Sequence, residues 1–324
     1  MHVGTDLWVA TLVVLVLVFS LDFFLAARRP HAVSMREASL WTIFYVGAAL
    51  AFGVFVGSQF GSMFAGQFYA GWLTEYSLSV DNLFVFVIIM SRFRVPRANQ
   101  QFVLLVGIAI ALAMRAIFIA LGAAAIERFS WVFYIFGAFL IYTAYHLARH
   151  NEETEEFHEN RVIRWVKAVL PTTEKYDGNQ FRTVVDGRKL FTPMLVVMVA
   201  IGTTDLLFAL DSIPAIFGLT QEPYLVFTAN AFALMGLRQL FFLLGGLLDR
   251  LVFLSIGLAV VLGFIGVKLV LEALHTNELP FINGGEPVAW APEISVAVSL
   301  TVIVLVLAVT AVASLLHTRK AGGS

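Results

Sequence analysis

The chain has 324 residues, is 60% hydrophobic and only 13% charged, and has a mean hydropathy of +0.86. Those values exclude a soluble globular domain and a disordered chain, and they indicate an all-α polytopic membrane protein. A net charge of −1 suggests no nucleic-acid partner, and the absence of cysteine removes disulfide, zinc–thiolate and thiol chemistry.

Nine apolar segments are long enough to cross about 30 Å of hydrocarbon as helices. They cover residues 7–26, 40–58, 68–91, 102–124, 130–148, 192–217, 224–246, 251–273 and 293–316. Met1 to Asp6 lacks the basic start of a signal peptide, so the first segment is expected to stay as a span. Alternation of period two is not evident, which argues against a β-barrel. Seventeen Lys and Arg fall in one set of connections and one, Arg128, in the alternate set. The positive-inside rule then places the N-terminus outside and the C-terminus in the cytoplasm.

The one sizeable polar segment, 149–191, lies on the basic, cytoplasmic side. Its acidic start, Glu152 to Glu159, reads as a solvated linker or a cation sensor. Residues 160–170 alternate basic and apolar at helical spacing, as an interfacial helix would. Asp186-Gly187, between Phe181–Val185 and Arg188–Phe191, predicts a hairpin.

An acidic pattern occurs twice inside these spans. Glu75 and Asp81 stand six residues apart, followed by Asn82; Asp205 and Asp211 stand six apart, followed by Ser212. A carboxylate at mid-bilayer costs roughly 2.5–3.5 kcal/mol, so four of them point to function. Glu75, Ser79 and Asn82 share one helical stripe and Asp205 and Ser212 share another, with Asp81 and Asp211 each about 100° round from it.

The surrounding spans repeat as well. Met114-Arg115 parallels Leu237-Arg238, and Glu127-Arg128-Phe129 parallels Asp249-Arg250-Leu251. Three spans per copy is an odd number, so the second copy enters the membrane from the other side, an inverted repeat with its site at the interface of the halves. The expected organisation is a two-helix segment (1–67), a first repeat (68–148), a cytoplasmic loop (149–191), a second repeat (192–273), and a final helix and tail (274–324).

Around the acids, Arg115 and Arg238 are the natural counter-charges, either as structural partners or as gates. Asn230 is a ligand or a helix–helix hydrogen bond. Asp22 is an entry ligand or a snorkelling acid near the end of the first span. Pro214 has no amide hydrogen, which frees the carbonyl of Leu210 as a candidate oxygen ligand. Carboxylates, an amide, hydroxyls and carbonyls are hard donors, suited to Mn²⁺, Mg²⁺ or Ca²⁺. An anionic substrate would meet repulsion. Catalysis is not expected, since no protease-like constellation stands out beyond a distant likeness to an aspartyl dyad. No cofactor is required, and protein partners are not legible.

At these residues the chain resembles the TerC family of membrane proteins, close to its Alx-type members. The matching segments are Ser79-Val-Asp81-Asn82-Leu-Phe-Val-Phe, Phe208-Ala-Leu-Asp211-Ser212-Ile-Pro214-Ala-Ile-Phe217, Tyr134-Ile-Phe-Gly137-Ala-Phe, Asn230-Ala-Phe-Ala-Leu-Met-Gly236-Leu-Arg238 and His31-Ala-Val-Ser-Met35. The resemblance implies nine spans in a bacterial inner membrane, with Glu75, Asp81, Asn82, Asp205, Asp211 and Asn230 at the family's motif positions. It also implies manganese export, as associated with Alx-type members, and a link to tellurium resistance in the family name. Gly202 departs from the Alx-type pattern, which carries another acid there. Exported Mn²⁺, exchanged for protons at the carboxylates, is the function expected on this basis. The alternative is a membrane scaffold or assembly factor in which acids and arginines form a structural network.

Overall fold

The computed structural model describes residues 1, 3–28, 35–129, 131–149, 163–164, 170–173, 175–185, 187–244 and 252–321, excluding the side chains of 22, 23, 25–28, 81, 84, 98, 244 and 319–321. Ten helices run through them: α1 (Thr5–Arg28), α2 (Met35–Phe60), α3 (Ser62–Arg92), α4 (Arg97–Arg128), α5 (Val132–Arg149), α6 (Pro193–Phe217), α7 (Pro223–Met235), α8 (Leu237–Leu244), α9 (Leu254–His275) and α10 (Val296–Ala321). Eight spans are long and apolar enough to cross a bilayer, with Pro223–Leu243 counted as one, and the shorter apolar stretch Thr5–Leu21 precedes them. Each of the nine expected segments thus falls on a helix, and the protein is an all-α polytopic membrane protein.

Local chemistry sets the helix ends. Gly61 alone separates α2 from α3, with φ at 102°, a reversal that a side chain would resist. Pro193 and Pro223 open α6 and α7, where a missing amide hydrogen costs nothing. Large apolar side chains stay exposed on the outer helices, among them Val16 and Leu17 on α1, Leu40 and Ile43 on α2, and Leu305 and Val309 on α10. In a bilayer these faces meet lipid, while backbone groups are satisfied within the helices.

Three helix pairs make close contacts through small residues. α5 and α9 make the most extensive contact and run antiparallel, with Gly137 against Val270, Ile141 against Gly266, and Ala144 against Gly263. A Cβ on Gly137 would stand 2.8 Å from the Gly266 carbonyl oxygen, and one on Gly266 would stand 2.9 Å from that of Gly137. Small residues let two backbones approach this closely in a membrane. α3 packs along α7 through Gly71 and Ala229, and α4 along α6 through Gly107 and Ile201.

The polar loop contains the expected hairpin. β1 (Arg182–Val185) pairs antiparallel with β2 (Arg188–Phe191) in the register Arg182 to Phe191 and Val185 to Arg188, and Gly187 takes φ 76°. It docks on the turn between α3 and α4: Tyr176 Oη donates to the Phe93 carbonyl at 2.8 Å. Asn99 Nδ2 donates to the Gly178 carbonyl at 2.5 Å. Burial pushes the Tyr176 phenol up to about 12. The acidic run 152–159, most of the expected interfacial helix and His31 to Ser34 lie outside the described residues.

Candidate cation site

α3 and α6 carry the two acidic motifs and run antiparallel along one seam. Just past α6, Thr220 Oγ1 donates to Gln67 Oε1 of α3 at 2.8 Å. A Cβ on Gly71 would stand 3.3 Å from Ile216 Cγ2. Both contacts share one antiparallel register. Continued along the helices, it brings Glu75 level with Ser212 and Asn82 level with Asp205.

Arg115 enters from α4. Its guanidinium pairs with Glu75 Oε1 and, at 3.2 Å, with Asp205 Oδ1, and donates to Asn230 Oδ1 at 2.9 Å. Ser79 Oγ donates to the same Glu75 oxygen at 3.1 Å. Asn230 Nδ2 is held in turn by the Val226 carbonyl at 3.1 Å, which fixes the amide with its oxygen towards the arginine. One α4 side chain thus ties α3, α6 and α7 together in the interior, with Arg115 1% exposed and Glu75 0%.

Charge is not balanced within this group: two carboxylates face one guanidinium. Glu75 Oε2 and Asp205 Oδ2 are buried without a hydrogen-bond partner among the described residues, as are Arg115 Nε and Ser212 Oγ. Buried polar atoms are normally bonded, and those left over call for an explanation. Each acid spends one oxygen on Arg115 and keeps the other open. Two open carboxylate oxygens with surplus negative charge are chemically competent to receive a cation.

The other expected residues are placed as follows. Asn82 and Ser212 are buried. Asp211, turned away from its stripe, accepts a hydrogen bond from Thr143 Oγ1 of α5 at 3.2 Å. Arg238 is buried at the start of α8, just after Gly236 breaks the span. Leu210 is 43% exposed, and Pro214, four residues further along α6, has no amide hydrogen to offer its carbonyl. The side chains of Asp81 and Asp22 lie outside the described set, and with them any sharing of an ion between Asp81 and Asp211. Among the described residues no group of three or more His, Asp or Glu is placed to hold a metal ion.

Sequence reading passed over Thr143, Gln67 and Thr74. The last two had a signal, because Gln67, Thr74 and Asp81 follow at steps of seven and form one stripe on α3.

The family profile described as "Integral membrane protein TerC family" matches residues 60–321. The chain is 50% identical to an uncharacterized membrane protein of Mycobacterium tuberculosis, over 96% of this chain and 79% of that protein. It is 41% identical to an uncharacterized membrane protein of Myxococcus xanthus, over 97% and 93%. It is 35% identical to Alx of Escherichia coli (strain K12), provisionally named a membrane-bound redox modulator, over 99% of both chains. No solved structure matches the chain.

Proposed function

The chain belongs to the TerC family of integral membrane proteins, and we propose that it is a secondary transporter exporting a divalent cation from the bacterial cytoplasm. Mn²⁺ is the first candidate, and Ca²⁺ or Mg²⁺ would be bound by the same chemistry. The observation that carries this reading is the meeting of Glu75 and Asp205, the matching acids of the two motifs, on one buried arginine, each with an oxygen left open. Small divalent ions keep several waters and need only one or two carboxylates with neutral oxygens beside them. Asn82, Asn230, Ser79 and Ser212 supply those oxygens; Asp81 and Asp211 extend the set along the motifs. Binding too tight would prevent release, so an uncaged pair suits a carrier.

The reciprocal packing supports an inverted repeat. Shifting Gly71 and Ala229 by the motif offsets leads to Ile201 and the Gly107 region, and Gly107 packs on Ile201. Gly137 and Gly266 face each other under the same operation. A two-fold axis in the membrane plane would relate the halves, with the N-terminus outside and the carboxylates close to that axis. The carboxylates take up protons when the ion leaves, giving cation/proton exchange. A redox role of the kind in the Escherichia coli relative's name would have no thiol to act through here, since the chain contains no cysteine.

The test is Mn²⁺ flux in proteoliposomes under an imposed pH gradient, comparing the unaltered protein with Glu75→Gln and Asp205→Asn. Flux is expected to fall to the protein-free level in both variants. Flux undiminished in both would overturn the assignment.

A further inference from the structure

At the end of α3 remote from the hairpin, the start of α3, the segment after α6, the second half of α9 and the start of α10 line an open-sided cavity of about 880 Å³. Its polar lining includes Ser62, Gln67, Thr220, Glu222, Lys268 and Glu272. At about 30 Å³ per water, a divalent ion with six waters needs roughly 200 Å³, so the cavity admits one fully hydrated. Its wall holds three carboxylates, Glu222, Glu272 and Glu293, against two cations, Lys268 and the Met1 amino group that pairs with Glu222, which leaves a net negative charge that favours cations over anions.

The cavity floor is the α3–α6 seam itself. Gln67 and Thr220 line the cavity and close the seam by hydrogen-bonding each other, and Gly71 against Ile216 is the next layer down. Below that come Thr74, 0% exposed, and Ser212, 1% exposed. Both hydroxyl oxygens lack a hydrogen-bond partner among the described residues. Glu75 follows directly on Thr74 and lies level with Ser212 in the register of the seam. A buried hydroxyl left without a hydrogen bond is destabilising, so its retention calls for an explanation. Two such hydroxyls stand between the cavity and the carboxylate pair.

Resting on the transport reading, we propose that this cavity is the outer vestibule of the cation path and that the Gln67–Thr220 contact is its gate. The ion passes between vestibule and Glu75–Asp205 along Thr74 and Ser212, shedding water at the Ile216 layer. This assigns Gln67, Thr220 and Thr74 roles in a path that otherwise consists of the motif residues alone.

The chain has no cysteine, so single cysteines report without background. Thr220→Cys, Thr74→Cys and Ser212→Cys are introduced into the full-length protein in oriented membrane vesicles. A membrane-impermeant cationic thiol reagent is applied from either face, beside an anionic analogue. Val184→Cys, on exposed strand β1, marks the hairpin face. Thr220→Cys should react only from the face opposite the hairpin and at least tenfold faster with the cationic reagent. Ser212→Cys and Thr74→Cys should react from that same face more slowly, and millimolar Mn²⁺ should protect Ser212→Cys. Labelling after denaturation checks that every thiol is reactive. Thr220→Cys inert in the folded protein, or Ser212→Cys modified only from the hairpin face, would overturn the path. Labelling does not depend on net flux, so the path can fail while transport stands. If transport fails and the labelling pattern holds, the vestibule remains and its role as a transport path is lost.

Discussion

Replacing Arg115 by methionine removes the one charge that Glu75 and Asp205 share while keeping a long side chain in place. The guanidinium contacts both acids and Asn230 in a site closed to solvent. Removing one partner of a buried ion pair costs about 3–5 kcal/mol, because the other charge stays buried and unpaired. The lost bond to Asn230 adds about 1 kcal/mol. At roughly 2–4 °C per kcal/mol, the melting midpoint in detergent should fall by on the order of 10 °C or more. The triple variant Arg115→Met, Glu75→Gln, Asp205→Asn has no buried charge in this group and should recover most of that loss, since neutral replacement of a buried ionic cluster is often harmless or stabilising. The assay is thermal unfolding of the single and triple variants side by side, followed by Mn²⁺ flux of the triple variant. Single and triple variants melting together would refute the claimed coupling. A folded triple variant that transports would refute the carboxylates as ion ligands and favour a structural network.

Three further outcomes are expected. Gly202→Asp should be accommodated, because a Cβ there meets only Ile110 Cγ2 at 3.7 Å; a new acid one turn before Asp205 should lower the half-saturating Mn²⁺ concentration about three- to tenfold in a flux titration, the tenfold limit being about 1.4 kcal/mol. Gly137→Ala and Gly266→Ala should each destabilise by about 1–3 kcal/mol and by similar amounts, since each Cβ strikes the other's carbonyl. Gly263→Ala, with ordinary clearance of 3.6 Å to Ala144, should be close to neutral in the same melting assay. Tyr176, raised by burial from 10.0 to about 12, contributes docking stability that is fully present below pH 10 and lost as pH rises towards 12. The protection of the segment around Tyr176 against limited proteolysis, measured relative to an unfolded control at each pH, should therefore fall over that window, and Tyr176→Phe should abolish this pH step.

The architecture was readable because bilayer thickness demands long apolar runs, and each of the nine becomes helical, the seventh as the pair α7 and α8. The hairpin was readable because Asp186-Gly187 suits the turn. The stripes Glu75–Asn82 and Asp205–Ser212 followed from helical period alone. Which arginine would lie between Glu75 and Asp205 did not, because that depends on how α4 is set against α3 and α6, a tertiary register with no local signal. Asp211 was seen to turn from its stripe, yet its partner Thr143 comes from α5, remote in sequence. Gly137 and Gly266 stayed silent for a related reason: a glycine in an apolar span gains meaning only from the backbone it meets.

The crossing of α5 and α9 has the form of an isologous interface, in which each partner offers the same patch to the other. Under the proposed repeat, rocking about Gly137–Gly266 that widens the cleft towards one face narrows it towards the other while exchanging like contacts for like. The two end states are then nearly degenerate by construction, and a small free energy suffices to choose between them. That bias must come from what the symmetry leaves unmatched. The loop that carries the hairpin is such a part: its Tyr176 and Gly178, just before β1, are bonded to Phe93 and Asn99 at the α3–α4 turn on one face. A few bonds in a peripheral loop would thus set which side of the membrane the carrier faces at rest.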